Sequence, residues 1–129
     1  MADPQLPIQP GGMGLCAVSI EWVRSWLDAY GEAGSHLDAF FHQGEQAYCR
    51  AHRFSEERWA ARIAAKRAVQ RVRPVRCLDI TVGRTEHGAP TLTIQTPSGP
   101  ERWLISLTHE RSQGADDPGW AVALVVCPS

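Results

Sequence analysis

The spacing of apolar side chains changes character once along this chain, just after Pro74. Ahead of that point the apolar positions mostly follow a helical period. Met13 to Ile20 (MGLCAVSI) is the exception, a short apolar run that reads as a first strand. From Glu21 to Tyr30, the side chains of Trp22, Val23, Trp26, Leu27 and Tyr30 fall on one helical face, and Gly31 and Gly34 stop the helix. A second helix is expected near Leu37 to Ala51, weakened by Gly44. A third opens at Ser55, where Glu56 and Glu57 suit the positive end of a helix dipole, and runs to Val72, short of Pro74. Beyond Pro74 the period becomes two. Leu78, Ile80 and Val82 alternate with polar residues, Gly88 marks a turn, and the alternation resumes from Thr91 to Thr96. PSGP gives the next turn, Trp103 to Leu107 a further strand, and GWAVALVVC a last strand apolar enough to be central and covered on both faces. A strand, then helices, then hairpin-linked strands is an α+β order with an antiparallel sheet.

Residues 1–12 hold three prolines and two glycines and read as a flexible N-terminal arm; residues 13–129 read as a single domain. The arm lacks the basic and apolar regions of a secretory signal. Composition is that of an ordinary globular protein, with 43% hydrophobic and 21% charged residues. A net charge of −1 gives no overall attraction to nucleic acid, and no apolar run approaches the roughly 20 residues of a membrane span. Four cysteines, Cys16, Cys49, Cys77 and Cys127, stand far apart with no C-x-x-C pair. That spacing points to free thiols in a cytoplasmic protein rather than a zinc site or a disulfide scaffold. The histidines show no metal-ligand spacing.

Lys66 is the only lysine; every other basic side chain is arginine. It lies in RIAAKRAVQRV, in the alanine-rich middle of the third helix. Arg58, Arg62 and Lys66 follow i, i+4 spacing, as the residues of a solvated basic face also do.

Three separated segments resemble one family in the right order. FFHQGEQAYC is similar to the F-T-x-x-E-x-x-Y-C segment of holo-(acyl-carrier-protein) synthases. RWAARIAAKRAV resembles their R-x-A-x-R-F-A-A-K-E-A signature, and WLISLTHE resembles their closing S-L-S-H strand. The resemblance extends over about residues 13–127 and includes the GAP turn and the final AVALVV strand. It implies the 4'-phosphopantetheinyl transferase fold, usually trimeric with sites between subunits. The implied activity is transfer of 4'-phosphopantetheine from coenzyme A to a serine of an acyl carrier protein. Lys66 would line the coenzyme A cleft, and Arg71 would stand where a lysine contacts the cofactor phosphates. Arg62 and His109 match further motif positions, with Ser106 and Thr108 just ahead of His109 in the closing strand. Cations suit a phosphate-rich ligand, and arginine can grip one bidentately.

The pattern breaks at the metal. The family holds magnesium with two carboxylates, the aspartate of G-I-D or G-L-D and the glutamate of A-A-K-E-A. In this chain Cys16 and Arg67 stand at those positions. Magnesium wants hard oxygen ligands, a thiol is soft, and a guanidinium repels the ion. Arginine also cannot take the proton that the glutamate helps to remove. Without a metal to hold, Arg67 is free to join Lys66 and Arg71 at a phosphate. An arginine of the family's first helix, used to dock the acidic carrier, falls at Trp22, which reads as core. Cys16 reads as a buried, inert thiol on an apolar strand.

The sequence therefore favours a transferase-like protein that no longer transfers the arm. It would bind an acyl carrier protein or its phosphopantetheine group, in polyketide or fatty-acid assembly, without magnesium and as a homotrimer. Three alternatives stay open: an enzyme acting on acyl-carrier thioesters with His109 as acid or base; an active synthase whose metal is held in another way; and a subunit that completes a neighbour's site.

Overall fold

A computed structural model describes residues 12–31, 34–110 and 117–128; all but Gly12 of the expected N-terminal arm lies outside them. β1 (Met13–Ser19) leads directly into α1 (Ile20–Tyr30). Ser19 makes the transition, its hydroxyl accepting from Trp22 N at 3.0 Å, and Gly31, at φ 83°, closes the far end by donating to Leu27 O. α2 (Ser35–Asp38), α3 (Gln43–Arg50) and α4 (Ser55–Val72) follow, then a 3-10 turn at Cys77–Asp79 and the strands β2 (Ile80–Arg84), β3 (Pro90–Thr96), β4 (Gly99–Glu110) and β5 (Trp120–Val126).

The expected second helix is two short ones. The chain turns at residues 39–42, where Phe41 enters the core and Gln46 donates to its carbonyl at 3.1 Å. Glu45 then accepts from His42 N at 3.1 Å and restarts the helix one turn later. Gly44 sits in the first turn of α3, where it weakens nothing downstream.

The sheet runs β1-β5-β4-β3-β2 and is antiparallel throughout. β4 is longer than its apolar stretch suggested. Its first half pairs with β3 and its second half with β5, so it joins two hairpins into one sheet. α4 crosses the inner face. Ala60, Ala61, Ala64, Ala65 and Ala68 are all buried, and their small size lets the strands come close. The approach is tightest at Gly14, where a Cβ would overlap the Ala68 carbonyl.

β5 is central, as its composition predicts, but among the described residues it is covered on one face only. Ala121, Ala123 and Val125 pack inward, whereas Trp120 and Leu124 face out. All the described helices with extensive sheet contacts lie on the inner side. The outer face is apolar at one end, where Leu15 opposes Leu124, Met13 opposes Val126, and Leu104 opposes Val126 from the other side, while Ser106, Thr108 and Glu110 continue it on β4. Leu15 is 58% and Leu104 71% exposed. Among the described residues no helix is long and apolar enough to cross a membrane.

Candidate functional site

α4 carries two cations, Arg62 and Lys66, in its buried middle. Lys66 is 2% exposed, and its ammonium donates to Phe40 O at 2.7 Å, Glu45 Oε1 at 2.9 Å and Cys77 O at 3.0 Å. An ammonium has three protons, and all three are placed. Glu45 is equally engaged, with Oε1 also accepting from His42 N and Oε2 from Val82 N at 3.1 Å. Burial pushes the Lys66 ammonium below its ordinary pKa, and the Glu45 charge and hydrogen bond pull against that shift. The lone lysine thus ties α3, α4, the 39–42 turn and the Cys77 turn together. The resemblance implied that Lys66 lines the coenzyme A cleft; its ammonium is held by three acceptors inside the protein, while its side chain borders the second cleft described below.

Arg62, one turn earlier, is as deeply buried but differently partnered. Its guanidinium lies 4.3 Å from the Tyr48 ring centre, and its Nε is buried without a hydrogen-bond partner. Among the described residues no carboxylate forms an ion pair with it. Arg84 covers the same ring at 5.3 Å and donates to Gly88 O. These groups border a cleft of about 260 Å³ that also has His42, Thr81 and Gly83 on its walls. Glu45 reaches this cleft too, but its charge is matched by Lys66. With Glu45 paired to Lys66, Arg62 brings to the cleft a positive charge that Arg84 increases. Burying such a charge without a partner is costly, and an anion entering the cleft would remove that cost. The alternative reading of Arg62 and Lys66 as a solvated basic face does not hold, since both are buried.

His109 ends β4 on the inner face. Its Nδ1 is 3.0 Å from Glu57 Oε1 and its Nε2 is 2.8 Å from an Arg58 NH group. Arginine can only donate, so Nε2 accepts, and the neutral ring carries its proton on Nδ1 toward Glu57. The lone pair that a general base would use is already engaged. His109 lines neither the Arg62 cleft nor the second cleft described below. Ser106 and Thr108 alternate with it and point from the outer face, away from α4. They do not join Arg62 and Lys66 within one chain.

Arg67 and Arg71 are exposed. Arg67 leans over Trp22 at 5.7 Å, and Trp22 is about half exposed, stacked on Trp26, rather than part of the core. Val23 and Leu27 take the core positions of α1, and a helix this short cannot bury a wider stripe. Trp22, Trp26, Arg67 and Lys66 border the second cleft, of about 400 Å³. Cys16 lies in the core, 6% exposed. Among the described residues no group of three or more His, Cys, Asp and Glu side chains comes together that could hold a metal ion. The pairing of Glu57 and Arg58 with His109, and the role of Tyr48 beneath two guanidiniums, have no local sequence signal, because the partners come from distant segments.

No protein-family model matches the chain, and no curated protein matches it by sequence. Solved structures do. Holo-(acyl-carrier-protein) synthase from Helicobacter pylori, in complex with coenzyme A, superposes with a TM-score of 0.73 at 20% identity, covering 91% of this chain and 100% of that one. The synthase from Neisseria meningitidis gives 0.69 at 19% identity, covering 92% and 98%. The Chronobacterium ammoniagenes ACPS–CoA complex gives 0.59 at 19%, covering 94% and 100%. The helices on one face of an antiparallel sheet and the central α4 thus belong to a shared architecture: this chain has the fold of the holo-(acyl-carrier-protein) synthases.

Proposed function

We propose that this chain binds a phosphopantetheine-bearing ligand, coenzyme A or the arm of an acyl carrier protein, and does not transfer the arm. The observation that carries this reading is Arg62, a buried side chain whose Nε has no acceptor among the described residues, facing a cleft that Arg84 makes more positive still. A phosphate supplies the missing acceptors, and charge-assisted bonds of this kind contribute about 1.5 to 3 kcal/mol each. Tyr48 and the paired guanidiniums offer a flat, cation-lined floor beside it. Arg71 lies nine residues beyond Arg62 on α4, about half a helical revolution away, and does not border this cleft. The fold likeness supports the ligand class, since two of the similar structures hold coenzyme A.

The donor set on α4 and β1 does not suit magnesium. Glu45 has both oxygens bonded, Glu57 faces His109, Cys16 offers a core thiol, and Arg67 is a cation. No step is therefore routed through a metal. A repurposed enzyme using His109 is less favoured, because Arg58 would first have to release Nε2.

We further propose that the protein self-associates as a trimer through the outer face of β1, β5 and β4. The support is the group of exposed apolar side chains on that face, Met13 and Leu15 from β1, Leu124 from β5 and Leu104 from β4.

The transfer half of this reading is tested by incubating the protein with apo carrier protein, coenzyme A and magnesium and weighing the carrier by mass spectrometry. No added phosphopantetheine mass is expected. Rapid, complete gain of that mass would overturn the reading and restore the active-synthase alternative.

A further inference from the structure

The larger cleft does not use Arg62 and is chemically unlike the first. Its walls come from four separate segments: Trp22 and Trp26 from α1, Phe40 and Phe41 from the turn before α3, Ile63, Lys66, Arg67 and Gln70 from α4, and Cys77 from the 3-10 turn. At about 400 Å³ it falls in the size range of small-molecule sites, and convergence of four segments makes it concave rather than a flat helix face. Aromatic rings dominate its lining. No carboxylate borders it.

The polar groups at this cleft are accounted for one by one. The Lys66 ammonium has all three protons inside the protein. The Gln70 amide donates to Val75 O at 3.0 Å and to Cys77 Sγ at 3.5 Å. Arg67 differs: among the described residues its guanidinium has no hydrogen bond and no ion pair, and its contact is the face of Trp22. Ile63 and Gln70 lie four residues before it and three after, so the helix turns Arg67 to the same side as the cleft. Trp22 and Trp26 stack nearly parallel, 4° apart in plane, and His36 braces the second ring edge-on at 5.5 Å. The result is an apolar hollow with one cation at its rim that has unused donors.

We propose that this hollow is a binding site for an amphipathic monocarboxylate, with a hydrocarbon body against the Trp22, Trp26, Phe40 and Phe41 rings and a carboxylate on Arg67. Apolar burial supplies most of the affinity, and the guanidinium fork fixes orientation and selects the charge. A cationic amphiphile of the same length meets the same walls but a repelling rim. The site does not depend on the coenzyme A reading, because it shares neither Arg62 nor Arg84 with that cleft.

Cys77 provides an internal reporter. It borders the hollow and is partly exposed, whereas Cys16, Cys49 and Cys127 are buried. The test titrates the full chain calorimetrically with sodium decanoate, and separately with decyltrimethylammonium, both below micelle formation. In parallel, the rate of Cys77 alkylation by N-ethylmaleimide is followed by peptide mass spectrometry. Decanoate is expected to bind saturably at one site, to slow Cys77 alkylation several-fold and to outcompete the ammonium compound. Arg67→Gln should weaken decanoate binding roughly tenfold, the equivalent of one charge-assisted bond, and Arg67→Lys should recover part of it. Because Arg67 is exposed, both variants are expected to fold, and an unchanged urea midpoint checks this. Equal binding of the two amphiphiles, indifference to Arg67→Gln, or unprotected Cys77 would each overturn the proposal. Arg62→Met should leave decanoate binding unchanged, so this site and the coenzyme A site fail separately.

Discussion

Lys66 and Arg62 lie on one side of one helix, four residues apart, and are equally buried, yet their surroundings give them opposite roles. Three acceptors surround Lys66, one of them charged, so its burial is compensated. Removing one partner of such a pair leaves the other charge stranded. Lys66→Met is accordingly expected to destabilise the fold by about 3 to 5 kcal/mol, measured by urea denaturation. Lys66→Met combined with Glu45→Gln should cost clearly less than the sum of the two single changes, although Glu45→Gln still weakens the bonds to His42 N and Val82 N. Strict additivity would mean that the ion pair is not the bond that matters here. At this scale the sequence was only partly legible. The family-like motif drew attention to Arg62 and Lys66, but i, i+4 spacing looks the same on a solvated face and on one that a turn and a strand later cover. The acceptors around Lys66 are mostly backbone carbonyls, from Phe40 and Cys77, and carbonyls leave no trace in a sequence.

At the scale of elements, α4 sets the geometry, and its alanines matter as much as its charges. The backbone of β1 touches that of α4 at Gly14, where any Cβ meets the Ala68 carbonyl and approaches Val72. Backbone cannot yield as a side-chain end can. Gly14→Ala is expected to cost about 3 kcal/mol, at the upper end of ordinary overpacking. Gly44→Ala makes the control, since nothing lies within 4 Å of its added Cβ, and a gain of about 0.4 to 1 kcal/mol is expected there. Thermal melts of the two variants moving in the same direction would contradict this account of the β1–α4 contact. The bounds of α1 and α4 were readable because strong periodicity coincides with clear end signals, Gly31 for the one, Ser55 and Pro74 for the other, whereas the Ser19 cap that starts α1 was not picked out. The break at residues 39–42 was not. It contains neither proline nor glycine and is set by Phe41 entering the core and by the Glu45 carboxylate, both tertiary effects. Trp22 misled for a related reason: helical spacing shows which residues share a face, but not how wide a stripe the neighbours will cover.

For the whole molecule, the open side of the sheet is the main unfinished surface. β5 reads as doubly covered because its outward residues, Trp120, Val122, Leu124 and Val126, are as apolar as its inward ones. One chain supplies only one cover, which is why composition pointed to more burial than a single copy provides. If a trimer supplies the second cover, sedimentation equilibrium at micromolar concentration should give three times the 14.2 kDa chain mass. Leu104→Asp, at the most exposed of these positions, should shift it toward monomer with little change in secondary structure. A parent protein that sediments only as monomer would contradict the trimer and leave the outer face without a role.

The central claim is that Arg62 is kept buried, with its Nε lacking an acceptor among the described residues, so that an anionic ligand can complete its pairing. Such a residue weakens the empty protein and strengthens the bound one. Calorimetric titration with coenzyme A in magnesium-free buffer, on the parent and on Arg62→Met, measures both sides when paired with the melting temperature of each empty protein. The parent should bind coenzyme A without the metal, and the variant about tenfold or more weaker, the loss of at least one charge-assisted bond. The empty variant should melt at the same temperature or higher, since an isosteric apolar side chain replaces an uncompensated charge. No binding by the parent at millimolar coenzyme A, or equal binding by both proteins, would contradict the claim.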